Sequence, residues 1–277
     1  MEDIMTRTTG TPTWLDLQTT DLKTAKHFYG ELFGWQFDDA GPDFGHYNMI
    51  TKDGGLVGGM MDFAIYPTDG SVPVPADGPK SAWDVFLAVD DVDKRLDLAT
   101  AHGATVLFPA SDVGPAGRCA TVADPTGATI AMWQAGDTEG YAFTGQPGTP
   151  VWFELMTQDF EAAKAFYTAV FDFNPAAMQT PMEDGADTDA STYATNGPES
   201  EASSGICNAA GFIPESEGSW WRIYFAVDDC DQAVETVQRM GGQLLDGPED
   251  SPFGRIATVA DLMGATFQLC SPSEAVR

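Results

Sequence analysis

The chain is short of several things, and each shortage closes off a class of function. No apolar run approaches the ~20 residues that a helical membrane span needs. The opening stretch, Met1 to Gly10, is polar and has no hydrophobic signal core. No membrane partner is expected, and the chain reads as cytoplasmic. Of 277 residues only 13 are Lys or Arg, against 42 Asp or Glu, for a net charge of −29. A field of that sign repels phosphate backbones, so no nucleic-acid partner is expected. It speaks for solubility and does not identify a substrate. Cys119, Cys207, Cys230 and Cys270 are far apart and form no C-x-x-C pair, which fits small buried hydrophobes in a reducing compartment. The three histidines are few for a metal centre that needs several converging ligands.

What is present is said twice. Residues 11–33, TPTWLDLQTTDLKTAKHFYGELF, align without a gap on residues 149–171, TPVWFELMTQDFEAAKAFYTAVF, with 11 of 23 positions identical. At the same offset Trp83 and Val89–Asp91 (VDD) fall on Trp221 and Val227–Asp229. One residue is lost before Arg118, which falls on Arg255, and before Asp124–Gly127 (DPTG), which falls on Asp261–Gly264 (DLMG). The chain therefore reads as two copies of one domain, at residues 1–137 and 149–277, with a linker at 138–148. Copies of that size can each hold a core, and a 43% hydrophobic content argues against general disorder.

Each copy opens with a strand and a helix. Alternation in Trp14–Gln18 puts Trp14, Asp16 and Gln18 on one face and the two leucines on the other. Asp21 suits an N-cap, and Leu22, Ala25, Phe28, Tyr29, Leu32 and Phe33 then form an apolar stripe ended by Gly34. Asp159 to Phe171 repeats the pattern. The stripe spacing predicts core, not a cofactor box. Strands are expected near Trp35–Phe37, Tyr47–Lys52 and Leu56–Asp62. A second strand and helix, Asp84–Val89 and Asp91–His102, precede two strands, Arg118–Ala123 and Ala128–Trp133, joined by an Asp-Pro-Thr-Gly turn. The fold class is α+β, with four β-α-β-β-β modules.

That order of elements, with Phe-Tyr on the first helix, VDD before the second and a DPxG hairpin, resembles the vicinal oxygen chelate superfamily. This group spans glyoxalases, bleomycin-resistance proteins and extradiol dioxygenases. TPxW opening each half, and Trp133–Asp137 (WQAGD) closing the first, is similar to the tandem actinobacterial form. The resemblance implies paired modules curling their sheets into U-shaped cups, whether within a domain or exchanged across domains. In metal-binding members the ligands stand on the first and last strands of each module. Carried over, those points fall on Trp14, Asp84, Ala131 and near Met60 in copy one. In copy two they fall on Trp152, Arg222, Gln268 and near Cys207. Trp and Arg side chains donate protons and do not ligate cations. His27 and His102 belong to helices, which leaves only His46 able to reach a cup. No metal ligands and no cofactor are expected.

If the Trp14 face lines the cup, the first cup gathers Trp14, Asp16, Gln18, Asp84, Phe86, Thr129, Ala131 and Trp133. The second gathers Trp152, Glu154, Met156, Arg222, Tyr224, Thr266, Gln268 and Cys270. Aromatic walls with a few converging polar groups suit a small molecule. Asp16 and Asp84 would form an acid/base pair or a seat for a cation, unless both point to water. Glu154 and Arg222 would satisfy each other or present a fork to an anion. The two leading tryptophans line a pocket or plug the space a metal would fill. The expected function is small-molecule binding with a degenerate metal site, as in natural-product binding or resistance. The alternative is a metal-independent lyase/isomerase or a hydroxylase/oxygenase-type tailoring enzyme, with Asp16, Asp84 and Glu154 as catalytic carboxylates. Monomer and homodimer both fit.

Overall fold

A computed structural model describes residues 7–62, 81–142, 145–178 and 193–272. Residues 1–6 of the polar opening and 143–144 of the expected linker lie outside them. The first half contains β1 (Pro12–Thr19), α1 (Leu22–Phe33), β2 (Gln36–Asp39), β3 (Asn48–Lys52) and β4 (Gly55–Asp62), followed by β5 (Ala82–Ala88), α2 (Val92–Ala101), β6 (Thr105–Val113), β7 (Gly117–Ala123) and β8 (Thr129–Ala135). The second half repeats them as β9 (Pro150–Thr157), α3 (Phe160–Phe171), β10 (Ala176–Ala177), β11 (Tyr193–Thr195) and β12 (Ser204–Asn208), then β13 (Trp220–Ala226), α4 (Cys230–Arg239), β14 (Gln243–Ser251), β15 (Gly254–Ala260) and β16 (Thr266–Pro272).

The helix limits follow the local chemistry. Asp21, Asp91, Asp159 and Asp229 each cap a helix by accepting the backbone N–H three residues on. Gly34 ends α1 in the left-handed region, at φ 72°. Its counterpart Asp172 takes the same conformation, at φ 56°, and is clamped by Arg95 of α2 through bonds of 2.8 and 2.6 Å. β6 and β14 escape an alternation search because they are edge strands with register shifts and no buried side chain. Trp35 falls outside β2. It is buried, and its indole N–H donates to Gly148 O at 2.6 Å.

Each half builds one eight-stranded sheet, ordered β2-β3-β4-β1-β5-β8-β7-β6 and β10-β11-β12-β9-β13-β16-β15-β14. The modules pair within a half, through the antiparallel contacts β1–β5 and β9–β13. The first sheet curls far enough to bring its two edges together. A methyl placed on Gly114, in the β6–β7 turn, would lie 3.7 Å from Phe44 in the β2–β3 loop.

The stripe residues pack between the sheets. Tyr29 and Phe33 of α1 lie against Phe267 and Phe225 of the second sheet, with ring centroids 5.7 and 5.0 Å apart. A reciprocal lock joins the halves. Tyr29 Oη donates to Asp261 at 3.1 Å and Tyr167 Oη to Asp124 at 3.0 Å, while Trp83 and Trp221 donate to those same tyrosine oxygens. The Phe-Tyr, Trp and turn-Asp motifs thus hold one half to the other. Burial raises both aspartates above the usual carboxylate range, even with these donors.

Candidate functional site

On β1 the even-numbered residues face away from the core that holds Leu15 and Leu17. The antiparallel register sets Trp14 opposite Phe86 and Asp16 opposite Asp84. Directly opposed residues share a face, so the expected carboxylate pair exists. β8 continues that face, with Ala131 beside Phe86 and Trp133 beside Ala88. Trp14, Asp16 and Trp133 are buried, while Gln18, Asp84 and Phe86 keep partial solvent contact. The Trp133 indole N–H donates to Thr138 O at 2.8 Å, which fixes the ring against the strand end.

Asp16 Oδ1 accepts from Trp14 Nε1 at 2.9 Å and from the hydroxyl of Tyr47, while Gln18 Nε2 donates to Asp84 Oδ2. Burial lifts Asp16 to about 6, against the pull of its two donors. Burial and then the charge of Asp16 lift Asp84 to about 7. Two carboxylates side by side and shielded from water cannot both ionise cheaply, so each makes ionisation of the other less favourable.

The second cup has the same plan and a different chemistry. Trp152 is opposite Tyr224 and Glu154 opposite Arg222. The Arg222 Nε donates to Glu154 Oε2 at 2.6 Å, its Nη2 donates to the same oxygen, and Tyr224 Oη adds a bond of 3.0 Å. Burial works against the Arg222 charge, but Glu154 outweighs it and the guanidinium is held above its ordinary value. Gln268, also buried and beside Tyr224, accepts from Thr258 Oγ1 at 2.7 Å.

Sequence reasoning missed Tyr47 and Tyr193. Trp152 Nε1 donates to Tyr193 Oη at 3.0 Å, as Trp14 Nε1 does to Tyr47 Oη at 2.9 Å. Each tyrosine lies over a glycine of the neighbouring strand, Gly59 or Gly205, where any Cβ would collide with the hydroxyl. The signal was available: Tyr and Gly are twelve residues apart in both copies. It was hidden because the copies fall out of the 138-residue register there.

Two expectations need correction. Met60 pairs with Leu17 and is fully buried in the core, so the cup position on β4 belongs to Met61, opposite Gln18. The one-residue slip reverses the face. His46 does not reach the cup. It is exposed at the rim, at φ 57°, with Nδ1 3.0 Å from Asp39.

The divalent ion implied by the fold family does not suit these donors. Among the described residues no three His, Cys, Asp or Glu side chains converge to hold one. The first-strand position is an indole N–H donor in both cups, and Arg222 occupies a ligand position in the second.

Comparison with known proteins accords with this architecture. The sequence model of the Glyoxalase/Bleomycin resistance protein/Dioxygenase superfamily matches residues 11–132 and again 149–269. CFP32 of Mycobacterium tuberculosis (strain CDC 1551 / Oshkosh), named as a proposed glyoxylase, is 36% identical over 270 residues, or 95% of each chain. The anthracycline biosynthesis protein DnrV of Streptomyces peucetius is 33% identical over 269 residues, 94% of this chain and 92% of its own. The Mn(II)-bound glyoxalase from Novosphingobium aromaticivorans superposes with a TM-score of 0.60 at 14% identity, covering 95% of this chain and 82% of that one. The 2,3-dioxygenase LapB from Pseudomonas sp. KL28 gives 0.59 at 13%, covering 98% and 97%. At such identities the structural likeness is one of fold.

Proposed function

The chain belongs to the glyoxalase/bleomycin resistance/dioxygenase superfamily, and from that premise we propose that it binds a small organic molecule in its first cup without a metal ion. The ligand class that fits is a planar or hydrophobic natural product. One observation carries the reading. Asp16 and Asp84 stand side by side beneath Trp14 and Phe86, and no cation among the described residues acts on either carboxylate. A carboxylate pair shielded from water with no opposing charge is costly, and a cation or further hydrogen-bond donors on a ligand would offset that cost. DnrV, one third identical, is named for anthracycline biosynthesis, and anthracyclines are planar polycycles. The second cup, where Arg222 already neutralises Glu154, is the structural copy in this reading. The proposed domains are residues 1–137 and 149–277 joined by 138–148, working in the cytoplasm. No helix of the described residues is long and apolar enough to cross a membrane.

A second reading rests on the two carboxylates of Asp16 and Asp84 set side by side. Carboxylates lifted to about 6 and about 7 suit general acid/base catalysis near neutral pH, as a metal-independent lyase or isomerase would need.

The test of both is a titration of chelator-treated protein with a panel of hydroxylated anthraquinones, followed by tryptophan emission, alongside an assay with methylglyoxal and glutathione. The binding reading expects saturable quenching that Asp84→Ala weakens about tenfold and Arg222→Gln leaves unchanged, with no turnover. Turnover in the presence of chelator would select the enzyme reading, and quenching indifferent to Asp84→Ala would remove the first cup from both.

A further inference from the structure

The second cup shows what completes a cup of this plan. The Arg222 guanidinium holds the buried Glu154 carboxylate, through Nε at 2.6 Å and again through Nη2. The same guanidinium lies over the Tyr224 ring, its carbon 5.4 Å from the centroid. A cation is thus seated between one carboxylate and one aromatic face. Asp16 and Phe86 are the residues of the first cup that correspond to Glu154 and Tyr224, in the same cross-strand register. At the position of Arg222 the first cup has Asp84, a second carboxylate in place of the cation.

Each of the two aspartates keeps one oxygen in reserve. Asp16 is only 8% exposed; its Oδ1 takes both Trp14 and Tyr47, and its Oδ2 takes no donor among the described residues. Asp84 Oδ2 accepts from Gln18, and its Oδ1 likewise takes none. Opposed residues on one face bring these oxygens within reach of a single head group. A hydroxyl has one proton to donate and serves one carboxylate. An ammonium or a guanidinium has at least three, carries the opposing charge and serves both. An anion is opposed by the pair itself and by a net charge of −29.

The surroundings leave the pair alone to respond to pH. Tyr47 and Cys119 are the other titratable groups that act on Asp16. Burial, and then the charge of Asp16, hold the Tyr47 hydroxyl well above its usual range and push the Cys119 thiol up to about 11. β4 brings Gly59 and Met61 to this face, and β8 brings Ala131 and Trp133, none of which ionises. His46 stays at the rim, on Asp39.

We propose that the ligand of the first cup carries an ammonium or guanidinium group, seated between Asp16 and Asp84 against Phe86, as Arg222 is seated in the second cup. This rests on the reading that the first cup binds a small organic molecule, and it adds the class of that molecule's head group. Such a cation favours the ionised form of both carboxylates. Its binding therefore releases protons, and its affinity rises with pH across the range in which the pair titrates.

The experiment is calorimetric titration of the full chain with 2-naphthylmethylamine and with its neutral isostere 2-naphthylmethanol, in buffers of different ionisation heat. The proposal expects one equivalent of the amine, bound about tenfold or more tighter than the alcohol. About one proton should be released per amine near pH 6, and fewer near pH 8. Asp84→Asn should weaken the amine about tenfold and reduce the proton release. Asp84→Arg supplies the second cup's own cation and should abolish amine binding. Circular dichroism confirms that each variant is folded. Amine and alcohol bound alike, both weakened by Asp84→Arg, would overturn the cationic head group and leave the first-cup reading standing. Amine binding indifferent to both Asp84 variants overturns the two together, and no binding of the amine overturns the cation proposal.

Discussion

The two cups share a backbone and differ in one cross-strand pair. Asp16 is opposite Asp84 where Glu154 is opposite Arg222, each beside an indole held by a tyrosine hydroxyl. The second cup closes its own charge balance. The first sets two carboxylates together with no cation among the described residues, and burial and mutual repulsion raise the pKa of Asp84. One substitution on β5 or β13 therefore decides whether a cup is electrostatically finished or left for a ligand to complete. Duplication preserved the frame and let the chemistry diverge.

The strongest way to break this comparison is to unfinish the second cup. Arg222→Ala leaves Glu154 buried, with only tyrosine donors, and should destabilise the fold by about 3 kcal/mol at neutral pH. Asp84→Ala, at the matching position, should not destabilise at all. Urea unfolding of both variants reads the difference directly, and equal losses would show that the cups are not electrostatically distinct.

A smaller effect tests whether the halves depend on each other equally. Tyr29→Phe and Tyr167→Phe each remove a donor from a buried aspartate and an acceptor from a buried indole. Each should cost about 2 kcal/mol, lowering Tm by similar amounts in a single cooperative transition. Two separated transitions in either variant would mean that the lock is not shared.

The smallest effect concerns pH. Asp16 and Asp84 rise from 3.8 to about 6 and about 7, so the folded chain binds more protons than the unfolded chain between those limits. The pair's contribution to stability is full below about pH 3.8 and is lost as pH rises through 6 and 7. Asp84→Asn removes part of that loss. The variant should match the parent near pH 4 and exceed it by on the order of 1 kcal/mol at pH 8, a figure reduced for the solvent contact of Asp84. Denaturation midpoints across that range check the sign. A variant less stable than the parent at pH 8 would mean that Asp84 is ionised and satisfied.

Much of this was legible in the residues. Leu15 and Leu17 against Trp14, Asp16 and Gln18 declared which face of β1 is core, because a strand has a period of two. The capping aspartates and Gly34 marked the helix ends, because orphan N–H groups and left-handed backbone select those residues. Tyr47 and Tyr193 were not legible from the main repeat register, since insertions shift them. Met60 was misplaced by a single residue, which is enough to turn a side chain from core to cup.

By itself the sequence determined the duplicated α+β modules, the Trp–acid face of each cup and the contrast between Asp84 and Arg222, all of which follow from local periodicity and residue type. Tertiary structure decided the rest. It paired modules within each half, and it spent Tyr29, Tyr167 and the two turn aspartates on joining the halves. Those residues are far apart along the chain and share no local pattern. Only the packing of one sheet against the other brings them within bonding distance.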